Sequence, residues 1–278
     1  MSAEGMRKSI ITKGFIISLL VCRLMAACST SKMKENQKGQ ELKPCTQTVK
    51  LSGGTTFSGN SHGNKPLPGS PYGYELWSAA GNNNNLTWYG PDQGGGAAFR
   101  AEWNNPDCFL GRVGYFWNEG KPYTGYENVF CDFNFTRSAD GTAGNWSYIG
   151  IYGWSRNPMI EWYIVDDWYG DGIIGPSTMG GDAVKKGEFT LDGAVYFAYQ
   201  ATRPAGSGNI EGSKNPFLQF FSIRQERRQC GTISITEHFR EWEELGMVLG
   251  DNMYEAKFLI EAGSGTGWID ASYITFYN

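Results

Sequence analysis

The sequence predicts an all-β domain of the sandwich or barrel type carrying one helix, and three observations predict it. Short runs of alternating apolar and polar residues recur at 97–103, 128–136, 189–202 and 273–277. Gly, Asn and Pro separate these runs, and breaks at such intervals mark successive antiparallel strands. The chain is also rich in Gly, Trp, Tyr and Phe while only 19% of its residues are charged. That leaves ample aromatic surface to fill the core of one domain of ordinary size.

Taken in order, the first 28 residues stand apart. Arg7, Lys8 and Lys13 precede an apolar run from Gly14 to Cys22 that is too short to span a bilayer. Arg23 interrupts the pattern, and Met6 is an alternative start. The segment ends on Leu24-Met-Ala-Ala-Cys28, which resembles the box at which bacterial lipoproteins are cleaved and lipidated. Residues 1–28 are therefore expected to be an export signal, with Cys28 as a lipid anchor; plain cleavage after small residues is the alternative. Residues 29–44 are polar, with several Lys and Glu and little to bury, and are expected to be a flexible tether. Residues 45–278 form the folded domain.

The centre of that domain is the stretch from Ile149 to Trp168. It reads as two strands joined by a turn at Arg156-Asn157-Pro158. In the second strand Ile160, Trp162 and Ile164 point one way, and Glu161, Tyr163 and Val165 the other. A Glu inside so apolar a strand costs free energy unless it is hydrogen-bonded or lines a wet cleft. A later run beginning at Tyr254 reads as a strand ending on Glu261. Two carboxylates facing each other across a cleft can hydrolyse a glycosidic bond. Between these strands lies the one helical pattern. Thr236 can cap a helix in which Phe239, Trp242 and Leu245 recur, and Gly246 or Gly250 can end it.

The remaining features narrow the class of function. A net charge of −4 without a basic patch argues against a nucleic-acid partner. There is no phosphate-binding loop and no dinucleotide fingerprint, so no cofactor is expected. The two histidines, His62 and His238, and the scattered cysteines lack metal spacing, so no metal is expected. Asp166-Asp167 with Asp171-Gly172 reads as a solvated turn rather than a calcium loop. Beyond Cys28, four cysteines remain in the domain, Cys45, Cys108, Cys131 and Cys230, and export would favour disulfides among them. Four cysteines allow three pairings.

The segment Tyr152-Gly-Trp-Ser-Arg-Asn-Pro-Met-Ile-Glu-Trp-Tyr-Ile-Val-Asp166 resembles the nucleophile strand of the family 11 glycoside hydrolases, the small endo-β-1,4-xylanases. Phe217-Leu-Gln-Phe-Phe-Ser-Ile-Arg-Gln225 is similar to a second strand of that family. Gly231-Thr-Ile-Ser-Ile-Thr-Glu-His-Phe-Arg-Glu-Trp242 is similar to the strand and single helix that follow it. The resemblance runs from about Gly73 to Asn278. It implies a single-domain β-jelly roll, two curved antiparallel sheets forming a cleft with one α-helix packed outside. It further implies an enzyme that hydrolyses xylan with retention, Glu161 as nucleophile and Glu261 as acid/base; a monomer, secreted or held at the outer surface as a lipoprotein, is expected. Trp77 matches an aromatic platform for a sugar ring, and Tyr152 and Tyr163 match two tyrosines that flank the nucleophile. Gln219 matches a hydrogen-bond partner of the nucleophile. Arg203 and Ile210 match the base and tip of a thumb-shaped loop, and Arg224 a structural arginine. By the same resemblance Cys45 is expected to pair with Cys230.

Three departures from the family pattern stand out. The thumb tip is Gly208-Asn-Ile-Glu-Gly212, without the proline that stiffens it in the family, so a looser tip is expected. After Glu261 the chain continues Ala262-Gly-Ser-Gly-Thr-Gly267, which changes the far side of the cleft. Cys108 stands where Asn or Asp is usual, and by resemblance it lies against Glu261 and tunes its titration. A small apolar role, or a bond to Cys131, is the alternative for Cys108. Two other functions remain open: a β-1,4-glucanase on a related jelly roll, and a xylan-binding module with a dead cleft.

Overall fold

Two sheets account for nearly all of the regular structure. The computed structural model describes residues 44–46, 50–63, 67–79, 83–105, 107–117, 120–138, 146–170, 174–179 and 182–278, with backbone alone for 61–63. The expected export signal, Cys28 and residues 29–43 of the tether lie outside these residues. Numbered in chain order, the smaller sheet runs β1 (Thr55–Ser58), β4 (Asn84–Trp88), β5 (Phe99–Asn105), β15 (Gly265–Tyr277), β7 (Phe130–Arg137) and β13 (Cys230–Ile233). The larger sheet runs β10 (Val184–Leu191), β11 (Ala194–Arg203), β12 (Phe217–Arg224), β9 (Ile160–Asp167), β8 (Ser147–Arg156), β14 (Asn252–Ala262), β6 (Phe109–Phe116), β3 (Tyr72–Ser78) and β2 (Ser61–Gly63). The two-sheet jelly-roll architecture expected from the sequence is present. One detail differs: β12 and β9 pair in parallel, so the larger sheet is mixed rather than wholly antiparallel.

Alternation along β9 assigns its residues to two environments. Ile160, Trp162 and Ile164 join the main core, whereas Tyr163 and Val165 join a second apolar cluster on the opposite face. The first face is closed by helix α1 (Ile235–Glu244). Phe239 and Trp242 are fully buried and meet Trp162 with ring centroids 4.9 and 6.4 Å apart. Burying side chains of this size stabilises the fold by about 1.5–3 kcal/mol each. The second face is left for the cleft.

The ends of α1 show where sequence reasoning was displaced. The N-cap position is Ser234, not Thr236, and no side chain caps the helix there. The Ser234 hydroxyl instead donates to Asp192, and the Thr236 hydroxyl accepts the Val129 amide. At the other end Gly246 takes a φ of 75°. The Met247 amide donates to Trp242 and the Gly246 amide to Glu243, so the last carbonyls are satisfied as expected for a glycine stop.

Two further expectations are corrected. Residues 189–202 are not one strand but the end of β10, a turn and β11; Asp192 and Gly193 have φ of 48° and 78° and turn the chain. Asp166 and Asp167 do not form a solvated turn. They end β9, are 1% exposed, and pair with Arg228 and Arg137. Cys45 and Cys230 form the expected disulfide across 185 residues. Cys108 and Cys131 are free thiols, so the bond between them considered as an alternative is absent. Pro44, the last residue of the expected tether, has its carbonyl accepting from Asn134 on β7.

Candidate active site

The second face of the larger sheet forms the wall of a cleft with two lobes of about 500 and 520 Å³. Trp77, Glu161, Arg203, Gly208 and Glu261 line both lobes. Strand chemistry explains why such a wall forms. Between Tyr152 and Trp154, Gly153 leaves no room for a side chain: a Cβ there would sit 2.0 Å from the Glu255 carbonyl and 2.2 Å from the Trp162 ring. The glycine lets β8 press against β14 while Trp162 fills the core behind. Tyr152 and Trp154 then project together into the cleft face.

Glu161 is 8% exposed, so its charge must be met by hydrogen bonds. Three are present. The Tyr152 hydroxyl donates to Oε1 at 2.6 Å, the Tyr163 hydroxyl to Oε1 at 3.1 Å, and Gln219 Nε2 to Oε2 at 2.5 Å. Gln219 is delivered by the parallel pairing, which sets it beside Glu161 in register. Burial pushes the Glu161 carboxyl upward from its ordinary value, opposed by the bonds from Tyr152 and Gln219, the Arg203 charge and the bond from Tyr163.

Glu261 lies in β14 one residue before its end, and the strand register sets it in line with Leu110 and Trp77 on one side and Tyr148 on the other. Its Oε2 is covered and has no hydrogen-bond partner among the described residues. Burial, and then the charge of Glu161, push its carboxyl up to about 8; the Arg112 charge, the nearby Tyr163 hydroxyl and the Arg203 charge pull the other way. Glu161 and Glu261 thus have unlike surroundings. The first is held by three donors; the second keeps a buried oxygen without a hydrogen-bond partner among the described residues and feels the Glu161 charge. The raised value of Glu261 keeps its carboxyl largely protonated near neutral pH.

The other predicted residues gather here as well. Trp77 is 39% exposed on the cleft wall. Arg203 ends β11, and Ile210 lies in the loop between β11 and β12, packed against the cleft-side cluster. Glu211 of that loop lies 3.6 Å from Arg156 at the end of β8, a partly exposed ion pair. Cys108 lines the second lobe beside Glu261. Burial and the neighbouring carboxylates of Asp107 and Glu261 push its thiol up to about 11, so it stays neutral. Arg224 lies away from the cleft and donates to the Glu226 and Asp192 carbonyls and to Tyr196. No group of three or more His, Cys, Asp or Glu among the described residues is placed to hold a metal ion.

Sequence reasoning missed a charged cluster at the foot of the cleft. Glu75, Arg112, Glu255 and Lys257 all line the first lobe. Arg112 Nε donates to Glu75 at 2.7 Å and Nη1 to Glu255 at 2.5 Å, and Lys257 also binds Glu255. The signal was present, since Glu75 alternates with Trp77, and Glu255 and Lys257 with Glu261, on single faces of two strands.

The sequence matches the family model for glycosyl hydrolases family 11 over residues 70–272. It is 43% identical over 234 residues to endo-1,4-beta-xylanase S20 of Neocallimastix patriciarum, covering 83% of this chain and 65% of that protein. It is 40% identical over 251 residues to endo-1,4-beta-xylanase C of Fibrobacter succinogenes, covering 88% of this chain and 38% of that protein. The chain thus spans less than two thirds of either relative. The crystal structure of wild-type ENZbleach xylanase superimposes with a TM-score of 0.79 at 56% identity, covering 84% of this chain and 91% of that one. With the family pattern matched across the sheet that carries Glu161 and Glu261, the chain belongs to glycosyl hydrolases family 11.

Proposed function

We propose that the chain is an endo-β-1,4-xylanase acting by double displacement, with Glu161 as nucleophile and Glu261 as acid/base. The observation that carries the reading is the contrast between the two carboxyls in one cleft. Glu161, held by Tyr152, Tyr163 and Gln219, is suited to attack. Glu261, pushed up to about 8, is suited to give a proton. In the first step a Glu161 oxygen bonds to the anomeric carbon, the glycosidic C–O bond breaks, and Glu261 protonates the departing oxygen. In the second, Glu261 takes a proton from water as the water oxygen bonds to that carbon, and Glu161 leaves as carboxylate. Trp77 supplies an apolar platform for a sugar ring, and Ile210 with Arg203 frames the site from the thumb side. Cys108 is assigned the tuning of Glu261 from the second lobe.

Reducing-sugar release from xylan, set against carboxymethyl-cellulose, tests the reading. Activity on xylan that is lost in both Glu161→Gln and Glu261→Gln supports it. Preference for the cellulose derivative points to a glucanase, and binding without release to a dead cleft. We further assign residues 1–28 to an export signal, 29–44 to a tether and Cys28 to a lipid anchor on a monomeric enzyme outside the cytoplasm. The Cys45–Cys230 disulfide suits that compartment. Cell fractionation of Cys28→Ser checks the anchor: release into the soluble fraction supports it, and unchanged membrane association removes it.

A further inference from the structure

We infer that Arg112 is a positioning residue for Tyr152, and through it for Glu161, an inference that rests on the reading of the cleft as a xylanase active site. The Arg112 guanidinium lies 4.2 Å from the centroid of the Tyr152 ring. The other constraints on that tyrosine are equally defined. Its ring packs against Tyr163 with centroids 4.7 Å apart, its hydroxyl oxygen accepts from Trp154 Nε1 at 2.7 Å, and its hydroxyl proton goes to Glu161. Arg112 therefore adds a cation to a ring already flanked by Tyr163 and Trp154.

Arg112 is itself held too firmly for a residue with a merely solvating role. It is 4% exposed and is gripped by Glu75 from β3 and Glu255 from β14. Lys257, also buried, balances the second acid. Two acids and two bases thus form a neutral cluster inside the wall. Such a cluster is a costly way to stabilise a fold, because apolar side chains of the same volume usually do as well. Its geometric product is a planar cation fixed under the tyrosine that binds the nucleophile. A cation on a ring face attracts the ring and draws electron density from it, which makes the hydroxyl a better donor. Glu161 loses its charge when it bonds to the sugar and regains it on release, so the donor must keep its place through both steps.

The test is a double-mutant cycle on an aryl β-xylobioside, reading kcat and KM for the native chain, Arg112→Met, Tyr152→Phe and the pair. Arg112→Met is expected to lower kcat about tenfold with KM changed less than about twofold, since small displacements of a reacting group fall on the chemical step. In the Tyr152→Phe background the same substitution is expected to cost less than about twofold, because the path it acts through is already cut. Arg112→Lys, which keeps a cation without the fork, is expected to fall between. Equal losses in both backgrounds, or no loss in either, overturn the inference. An inactive native chain overturns the xylanase reading and this inference together, whereas an active chain with additive losses overturns this inference alone. Near-UV circular dichroism checks folding. Should Arg112→Met not fold, Arg112→Gln/Glu255→Gln, which removes one charge of each sign, is measured in its place against the same two outcomes.

Discussion

Glu261→Gln gives a sharp prediction about stability rather than rate. Burial and the Glu161 charge push the Glu261 carboxyl from 4.5 up to about 8. A group whose folded value is raised stabilises the fold below its unfolded value and loses that contribution as pH rises through the folded one. For Glu261 the window runs from about 4.5 to about 8. At 1.36 kcal/mol per pH unit the loss has an upper bound of about 5 kcal/mol. Glu261 keeps some access to the cleft, and water there relaxes around the charge, which reduces the figure to about 1–2 kcal/mol. Gln has the shape of the protonated acid and cannot ionise. Thermal unfolding of both proteins should therefore coincide near pH 4. Near pH 8.5 the variant should melt roughly 2–8 °C higher, taking about 2–4 °C per kcal/mol for a domain of this size. A difference that is the same at both pH values, or a variant that is less stable at pH 8.5, would refute the reasoning.

Other outcomes follow from the same geometry. In Glu161→Gln, carbon-13 NMR should show Glu261 titrating at a lower pH than in the native chain yet still above 4.5, because burial, the larger cause, persists. Cys108→Asp should move the pH optimum of xylan hydrolysis to the acid side, since an Asp shares protonation with Glu261, whereas Cys108→Asn should leave it near its native position. Identical profiles would show that Cys108 does not tune Glu261. Replacing both Cys45 and Cys230 by Ser opens a 185-residue connection. It should cost about 2–4 kcal/mol of stability, read by denaturant unfolding, with kcat on xylan unchanged because the bridge ties β13 away from the cleft.

Much of the site was legible because it obeys a period of two. Glu161 and Tyr163 could be set on one face of β9, and Trp162 on the other, from alternation alone. The helix was legible from Phe239, Trp242 and the glycine stop. What stayed hidden depends on contacts distant in sequence. The resemblance pointed to Gln219 as a partner of Glu161, but the parallel pairing that brings these residues together joins positions 58 apart, and nothing local encodes it. The Arg112 cluster draws on three strands, so each member looked like an ordinary strand charge. Asp166 and Asp167 resembled a turn because their partners, Arg228 and Arg137, lie 62 and 30 residues away. Thr236 was a plausible cap, but its hydroxyl is taken by Val129, and Ser234 is taken by Asp192. The run through residues 189–202 concealed a turn that Asp192-Gly193 signals in hindsight.

The central claim is that Glu161 attacks the sugar directly while Glu261 manages the proton. Proton NMR of the first products released from xylan tests it most directly, before mutarotation mixes the anomers. The account predicts that the β-anomer appears first and the α-anomer only later. An α-anomer formed first would mean a single inverting displacement, and Glu161 could not be the nucleophile.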